Sequence, residues 1–383
     1  MSDGAMTEPD RVDGAPHPRE TRQLFGQTAA ETEFLGAFTS TRLHHGWLLT
    51  GPRGVGKATL AWRIARFLLA TPEEQDEGLF GAPPAPETLD IPADHPVARR
   101  ILAGAEPGLH LVRRGGLGST ESERQKNYEE GKLSKEIRVY EIRDLAKFVH
   151  LSAADGGRRV VILDAADEMN TAAANALLKM LEEPPARTTF LLVAHQPARL
   201  LPTIRSRCRE LRLGRLGPED VIAALHQAGI DVGGQAEALA ELSQGSAGEA
   251  VRLHNLDGLK LYAELVGIAG SLPQLDRPRA LKLADATAAR GAETRLDLLF
   301  ALVDLFLARL ARKGASGTAP PEAAAGEADL LARLAPDTRA GRIWAECAQE
   351  IGARARHGRA VNLDPAALVL DTVFKLQQTA LTV

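Results

Sequence analysis

Aromatic side chains make up only 4% of the 383 residues. Binding of single-stranded nucleic acid by stacking needs exposed rings, so a base-stacking platform is excluded as the main activity. Cysteine is scarcer, with Cys208 and Cys347 alone. Two thiols cannot supply a four-thiolate zinc site or a disulfide framework, and two reduced thiols suit a cytosolic protein better than one long-range bridge. Neither sign of charge dominates: 46 Lys and Arg stand against 50 Asp and Glu. A whole-chain basic footprint for nucleic acid is therefore lacking, which leaves only local patches. No apolar run reaches the roughly 18 residues that a membrane span needs. The opening stretch MSDGAMTEPDRVDGAPHPRE is polar and has no apolar core of a secretory signal. These absences predict a soluble, cytoplasmic protein with no membrane partner, and a disordered lead-in over 1–20.

Length predicts two or three domains, each large enough to bury a core. Helical spacing marks 29–38, and 57–70 with Leu60, Ala61, Ile64, Phe67 and Leu68 on one face. Trp47 to Thr50, Leu109 to Val112, Val160 to Leu163 and Thr189 to Ala194 read as strands. The β-branched run Val160–Leu163 has the composition of a parallel strand covered on both faces. Helices are predicted over 141–151 and 172–183, the latter with Leu177, Leu178 and Leu181 inward and Lys179 on a solvated or partner-facing side. Proline and acid crowd 71–96, a surface insertion, while 114–135 is polar and Gly-rich, an exposed loop. Alternating strand and helix make 21–213 an α/β domain with a parallel sheet. Beyond Leu213 the β signal stops. A small helical domain is predicted over 214–275, with Pro273 and Pro278 as a linker. An all-α domain follows over 280–383, interrupted by a flexible connector at 313–328.

Gly51-Pro52-Arg53-Gly54-Val55-Gly56-Lys57 stands between a strand and a helix. Such a loop holds phosphate with backbone N–H groups and a helix N-terminus, and Lys57 adds a point charge. The pattern G-x-x-x-x-G-K-[ST] is met except at its last place, where Ala58 replaces the Mg²⁺-binding hydroxyl. Thr59 points about 100° further round the helix. Gly51, Gly54, Gly56, Lys57, Thr59 and Asp164 are the candidate nucleotide-site residues, and a loop that binds nothing stays open beside that reading. Asp164 ends the strand begun at Val160, where a metal-orienting carboxylate is expected, but Ala165 follows where a water-polarising Glu is usual. Asp167 and Glu168 are expected to cap or flank the next helix. Ser206-Arg207-Cys208 follows the last strand and its turn, a place from which Arg207 can project; Arg205 stays ambiguous.

GPRGVGK at 51–57, NALLKMLEEPP at 175–185 and LLPTIRSRC at 200–208 together resemble a clamp-loader subunit of the AAA+ superfamily, of the bacterial DNA polymerase III delta-prime family. The last two stretches carry the likeness; the phosphate loop alone is weak. The resemblance implies an AAA+ P-loop core with a parallel sheet, a helical lid and an all-α collar for oligomerisation. Against the family's ATPase sibling, tau or gamma, the chain departs at Ala58, at Ala165 and at Gly248, where a lid Arg would touch the γ-phosphate. His195 or Ala194 stands where a small polar sensor is usual. The sibling's zinc module has no cysteines here between 58 and 207, so no zinc is expected. What the resemblance implies is a subunit that does not hydrolyse ATP, needs no cofactor, and leaves ATP or ADP binding at a degenerate loop open. Arg207 is implied to serve a neighbouring subunit's ATP. The implied partners are the tau/gamma and delta subunits, with the β sliding clamp and primed DNA reached through the complex. An active AAA+ ATPase is the rival reading, opposed by Ala58, Ala165 and Gly248. A stand-alone P-loop kinase is a third, opposed by the trailing helical domains.

Overall fold

The computed structural model describes residues 8–40, 43–71, 86–150, 157–289 and 291–383. The chain divides into two compact units, one of residues 1–230 with 245–248, the other of 231–244 with 249–383.

The first unit is built on five parallel strands: β1 (Gly46–Thr50), β2 (Leu109–Val112), β3 (Arg159–Asp164), β4 (Thr188–Ala194) and β5 (Arg209–Arg212). Their order is β2-β3-β4-β1-β5. Its helices are α1 (Thr28–Thr39), α2 (Lys57–Ala70), α3 (Pro96–Leu102), α4 (Glu121–Glu129), α5 (Val139–His150), α6 (Thr171–Glu182), the short α7 (Pro202–Arg205) and α8 (Pro218–Gln227). Period-two alternation sends successive residues of one strand into different cores. Val160 and Ile162 of β3 join Leu191 and Val193 against α1 and α2. Val161 and Leu163 join Phe190 and Leu192 against α5 and α6. A strand segment buried on both sides must therefore be apolar without a break, as Val160–Leu163 of β3 and Phe190–Ala194 of β4 are. Together these make a three-layer AAA+ P-loop core. β1 lies between β4 and β5, so the loop that follows it opens at the carboxyl ends of the central strands, where open α/β sheets place ligands.

The second unit is helical: α9 (Ala236–Leu242), most of α10 (Ala247–Asn255), α11 (Gly258–Gly270), α12 (Arg277–Ala288), α13 (Glu293–Ser316), α14 (Glu327–Leu334), α15 (Thr338–Ala360) and α16 (Pro365–Ala380). α13 and α15 cross at Gly314 and Gly341. A Cβ on Gly314 would stand 2.5 Å from the Gly341 Cα, so small residues set this close approach. Arg309 and Glu327 are buried as an ion pair at 2.7 Å. Tyr262 donates to Glu327 at 2.5 Å, and the Ala323 N–H donates to it at 2.8 Å.

Four expectations need correction. Residues 1–7 lie outside the described ones, but 8–20 are ordered rather than a disordered lead-in, because charge pairing and burial replace the missing apolar residues. His17 is fully buried, sits edge-on to Trp62, and shares a 3.0 Å bond with Asp10. The exposed loop at 114–135 contains α4, started by a capping box in which Thr120 and Glu123 satisfy each other's backbone N–H. The connector at 313–328 is narrower than expected, a non-helical stretch over 317–326 between α13 and α14, and its C-terminal end is tied down by Glu327. Pro278 lies in the first turn of α12, where its missing N–H has no partner to lose. Of the surface insertion at 71–96, 72–85 lie outside the described residues.

Candidate functional site

Gly51, Gly54 and Gly56 take φ of 141°, 73° and 100°, conformations open to glycine and strained for other residues. This is the local reason the loop between β1 and α2 needs three glycines. Lys57 begins α2 and is only 3% exposed. Its Nζ donates to the Gly51 carbonyl at 2.7 Å and the Pro52 carbonyl at 2.5 Å. Burial pulls its pKa down to about 8, against the pull of Asp164 and Asp167. Asp164, at the end of β3, moves the other way. Burial pushes its carboxyl up to about 7, Asp10 nearby adds to the rise, and Lys57 opposes it.

Three neighbours close on the loop. The Gly248 N–H donates to the Gly54 carbonyl at 3.1 Å, and a Cβ on Gly54 would meet the Gly248 Cα and N at 2.9 Å. On Gly56, a Cβ would stand 2.5 Å from Leu24 Cδ1. Gln27 is buried; its amide donates to the Val55 carbonyl at 3.1 Å and the Gly214 carbonyl at 2.9 Å. It therefore clips the loop to the chain just beyond β5. At one side of the site Asp10 is bonded to Arg113 at 2.6 Å and to His17. Burial raises its pKa, but those two bonds outweigh it and hold the carboxyl below its ordinary value.

Asp167 and Glu168 lie in a short 3₁₀ turn that flanks α6, the second of the two placements expected for them. Asn170 is the cap, accepting from the Ala173 N–H at 2.9 Å. Asp167 instead accepts from the His195 and Gln196 N–H groups, both at 2.9 Å. Glu168 pairs with Arg53 at 2.9 Å and Arg114 at 3.1 Å. The turn thus ties the end of β3 to the segment after β4 and to the phosphate loop. Burial and the Lys57 and Arg53 charges pull the His195 pKa down to about 4, so this imidazole is neutral at pH 7, and its buried Nδ1 has no hydrogen-bond partner among the described residues.

These residues fit a Mg²⁺–nucleotide poorly. The Ala58 methyl offers no ligand, the half-buried Thr59 hydroxyl makes no hydrogen bond among the described residues, and burial disfavours the charged form of the Asp164 carboxyl. Among the described residues no group of three or more His, Cys, Asp or Glu is placed to hold a metal ion. No helix of the described residues is long and apolar enough to cross a membrane.

Arg207 stands apart from the loop, just before β5. Its backbone is fixed: the Arg207 N–H donates to the Ile204 carbonyl at 3.1 Å, Ile204 is fully buried, and a Cβ on Gly46 would stand 3.2 Å from the Arg207 carbonyl oxygen and from Cys208 Sγ. Burial pushes the Cys208 thiol up to about 12, so this cysteine is packing and not a nucleophile. The Arg207 guanidinium is half-exposed. It donates to the Thr203 carbonyl at 3.0 Å and meets Glu182 Oε1 at 2.8 Å. Arg205 is exposed and makes no ion pair among the described residues, while Arg209 is turned to Glu33 at 3.2 Å.

Residues 26–217 match the model of the family described as DNA polymerase III, delta subunit. The chain belongs to this family. It is 37% identical to the DNA polymerase III subunit delta' of Pseudomonas aeruginosa over 58% of this chain and 59% of that one. Identity to the subunit delta' of Escherichia coli K12 is 30%, over 64% and 65%. A subunit gamma/tau of Mycobacterium tuberculosis H37Rv is 29% identical over 54% of this chain and 31% of its own length. The matched stretches span about half the length of the curated relatives, from 43% to 65% for the delta' proteins. A solved Thermotoga maritima DNA polymerase III gamma subunit-related protein has 17% identity and a TM-score of 0.37 over 92% of this chain and 99% of that one, too slight a likeness to add to the topology described above.

The structure brings Gly51, Gly54, Gly56, Lys57 and Asp164 to one place and leaves Arg207 outside it. Four residues escaped the sequence reading. Asp10, Leu24 and Gln27 carry no local signal, because their roles come from long-range contacts. Glu182 did carry one: an acid in the last turn of a helix opposes the macrodipole.

Proposed function

We propose that the chain is a delta-prime-type subunit of a DNA polymerase III clamp loader, that it does not hydrolyse ATP itself, and that it presents Arg207 to a neighbouring ATPase subunit. The observation that carries this reading is Arg207 itself: a guanidinium on a backbone fixed from both sides, half-exposed, away from the chain's own phosphate loop. An arginine so placed can reach a phosphate that another subunit holds. The crowding of the loop by Gly248 and Leu24, with Ala58 and Ala165 in place of ligand and base, supports the non-hydrolysing half.

At the neighbouring site, Arg207 would stabilise charge on the phosphoryl group in transfer. Its planar fork matches phosphate oxygens in a way a lysine cannot. The partners in this reading are the tau/gamma and delta subunits, with the β sliding clamp and primed DNA engaged through the assembly in the cytoplasm. The helices over 214–275 would act as a lid and those over 280–383 as the oligomerising collar. No zinc and no cofactor are needed; a nucleotide held on the loop backbone and Lys57 would be bound without a well-anchored metal.

Purified alone, the chain is expected to hydrolyse ATP no faster than a buffer blank, and to co-purify with tau/gamma and delta. Turnover that disappears in Lys57→Ala would overturn the reading in favour of an active ATPase.

A further inference from the structure

Glu182 is the last residue of α6, and Glu183 follows it. A carboxylate at a helix C-terminus faces the negative end of the macrodipole and is unfavourable there unless a cation answers it. The cation is Arg207, whose Nη2 lies 2.8 Å from Glu182 Oε1. Both elements are anchored. Leu181 is 1% exposed in the core beneath Glu182, and Ile204 is 0% exposed beneath the turn that carries Arg207. Only the side chains are free to exchange partners. The Glu182 and Arg207 side chains are 43% and 35% exposed, so the pair is a weak, solvent-screened one. Carboxylate and phosphate oxygens are alternative partners for the same guanidinium fork.

We propose that Glu182 is a parking site for Arg207: it holds the guanidinium in the resting subunit and yields it to a phosphate of the neighbour's nucleotide when the interface closes. This rests on the reading of Arg207 as acting in trans. Glu182 is thus a positioning residue that acts through Arg207 and not on the phosphate. Its removal takes away a competitor. Engagement of Arg207 then becomes easier, most visibly where closure is incomplete, in the assembled loader without clamp or DNA. The Thr203 carbonyl at 3.0 Å still orients the guanidinium in that variant.

The test is the steady-state ATPase of the reconstituted loader without clamp or DNA, with the subunit as wild type, Glu182→Gln, Arg207→Ala, or both. Glu182→Gln is expected to raise kcat about 1.4- to 5-fold, the range by which an exposed ion pair biases an equilibrium, with KM for ATP unchanged. Arg207→Ala is expected to lower kcat, and the double variant to match Arg207→Ala alone. If Arg207→Ala lowers the rate but Glu182→Gln leaves it unchanged or lowers it, the parking role is wrong and the trans role stands. If Glu182→Gln still raises the rate in the Arg207→Ala background, the carboxylate acts by another route and the proposal fails. If Arg207→Ala has no effect, the trans reading falls and the parking role with it.

Discussion

At the scale of single residues, the phosphate loop combines recognisable letters with an altered environment. The letters Gly51, Gly54, Gly56 and Lys57 were legible because three positive-φ positions leave few alternatives to glycine. What surrounds them was not, since Asp10 arrives from a segment whose polar composition reads as disorder and Leu24 from the stretch before α1, which carries no motif. Asp164 shows the consequence. Burial pushes its carboxyl from 3.8 to about 7. The folded chain then holds that proton more tightly than the unfolded chain, so stability falls as pH rises from about 4 to about 7, and the full penalty applies above 7. Asp164→Asn is therefore expected to raise the melting temperature at pH 8, by about 2–4 °C for each kcal/mol relieved, with the gain shrinking to nothing near pH 4. A variant that melts lower than wild type at pH 8 would show that attraction to Lys57 outweighs burial.

Elements were readable where one periodicity ruled. β3 and β4 have unbroken apolar cores at Val160–Leu163 and Phe190–Ala194, and α2 and α6 carry clean helical stripes, so their existence and type followed from the chain alone. Helix α4 has a polar surface with no buried residue, which hid it from any hydrophobic pattern, although the Thr120 and Glu123 capping pair was in plain view. Helix α11 is the opposite case. It buries Leu261, Tyr262, Leu265, Val266, Ile268 and Ala269, so apolar residues on several sides blur its stripe. The crossing of α13 and α15 also leaves no local mark, because it depends on two glycines 27 positions apart meeting, Gly314 and Gly341. Gly314→Ala is expected to destabilise by about 1–3 kcal/mol, the range for overpacking a close contact, despite alanine's better helix propensity. The denaturant midpoint of the full chain checks this; an unchanged or higher midpoint would mean that the helices separate without strain.

For the whole molecule, the second compact unit starts at 231, later than the change from strand to helix at Leu213 but well before the linker at Pro273 and Pro278. α11 contacts α12, α13 and α14, and Glu241 of α9 lies 3.8 Å from the buried Arg309. A fragment ending at 230 keeps the sheet with its covering helices and is expected to unfold cooperatively. One ending at 275 strips α11 of its partners, exposes Leu265 and Val266, and is expected to bind a hydrophobic dye or aggregate; equal behaviour of the two fragments would contradict this division. The central claim is that Arg207 works on a nucleotide the chain does not itself bind, and it is tested most directly by the DNA- and clamp-stimulated ATPase of the assembled loader. Arg207→Ala is expected to leave the subunit folded and incorporated yet to lower that rate. At the one site served the loss is about 10³–10⁵-fold, diluted by sites that receive their arginines elsewhere. Arg207→Lys should fail as well, and Arg209→Ala should not. Wild-type rates for Arg207→Ala in a fully assembled complex would contradict the account.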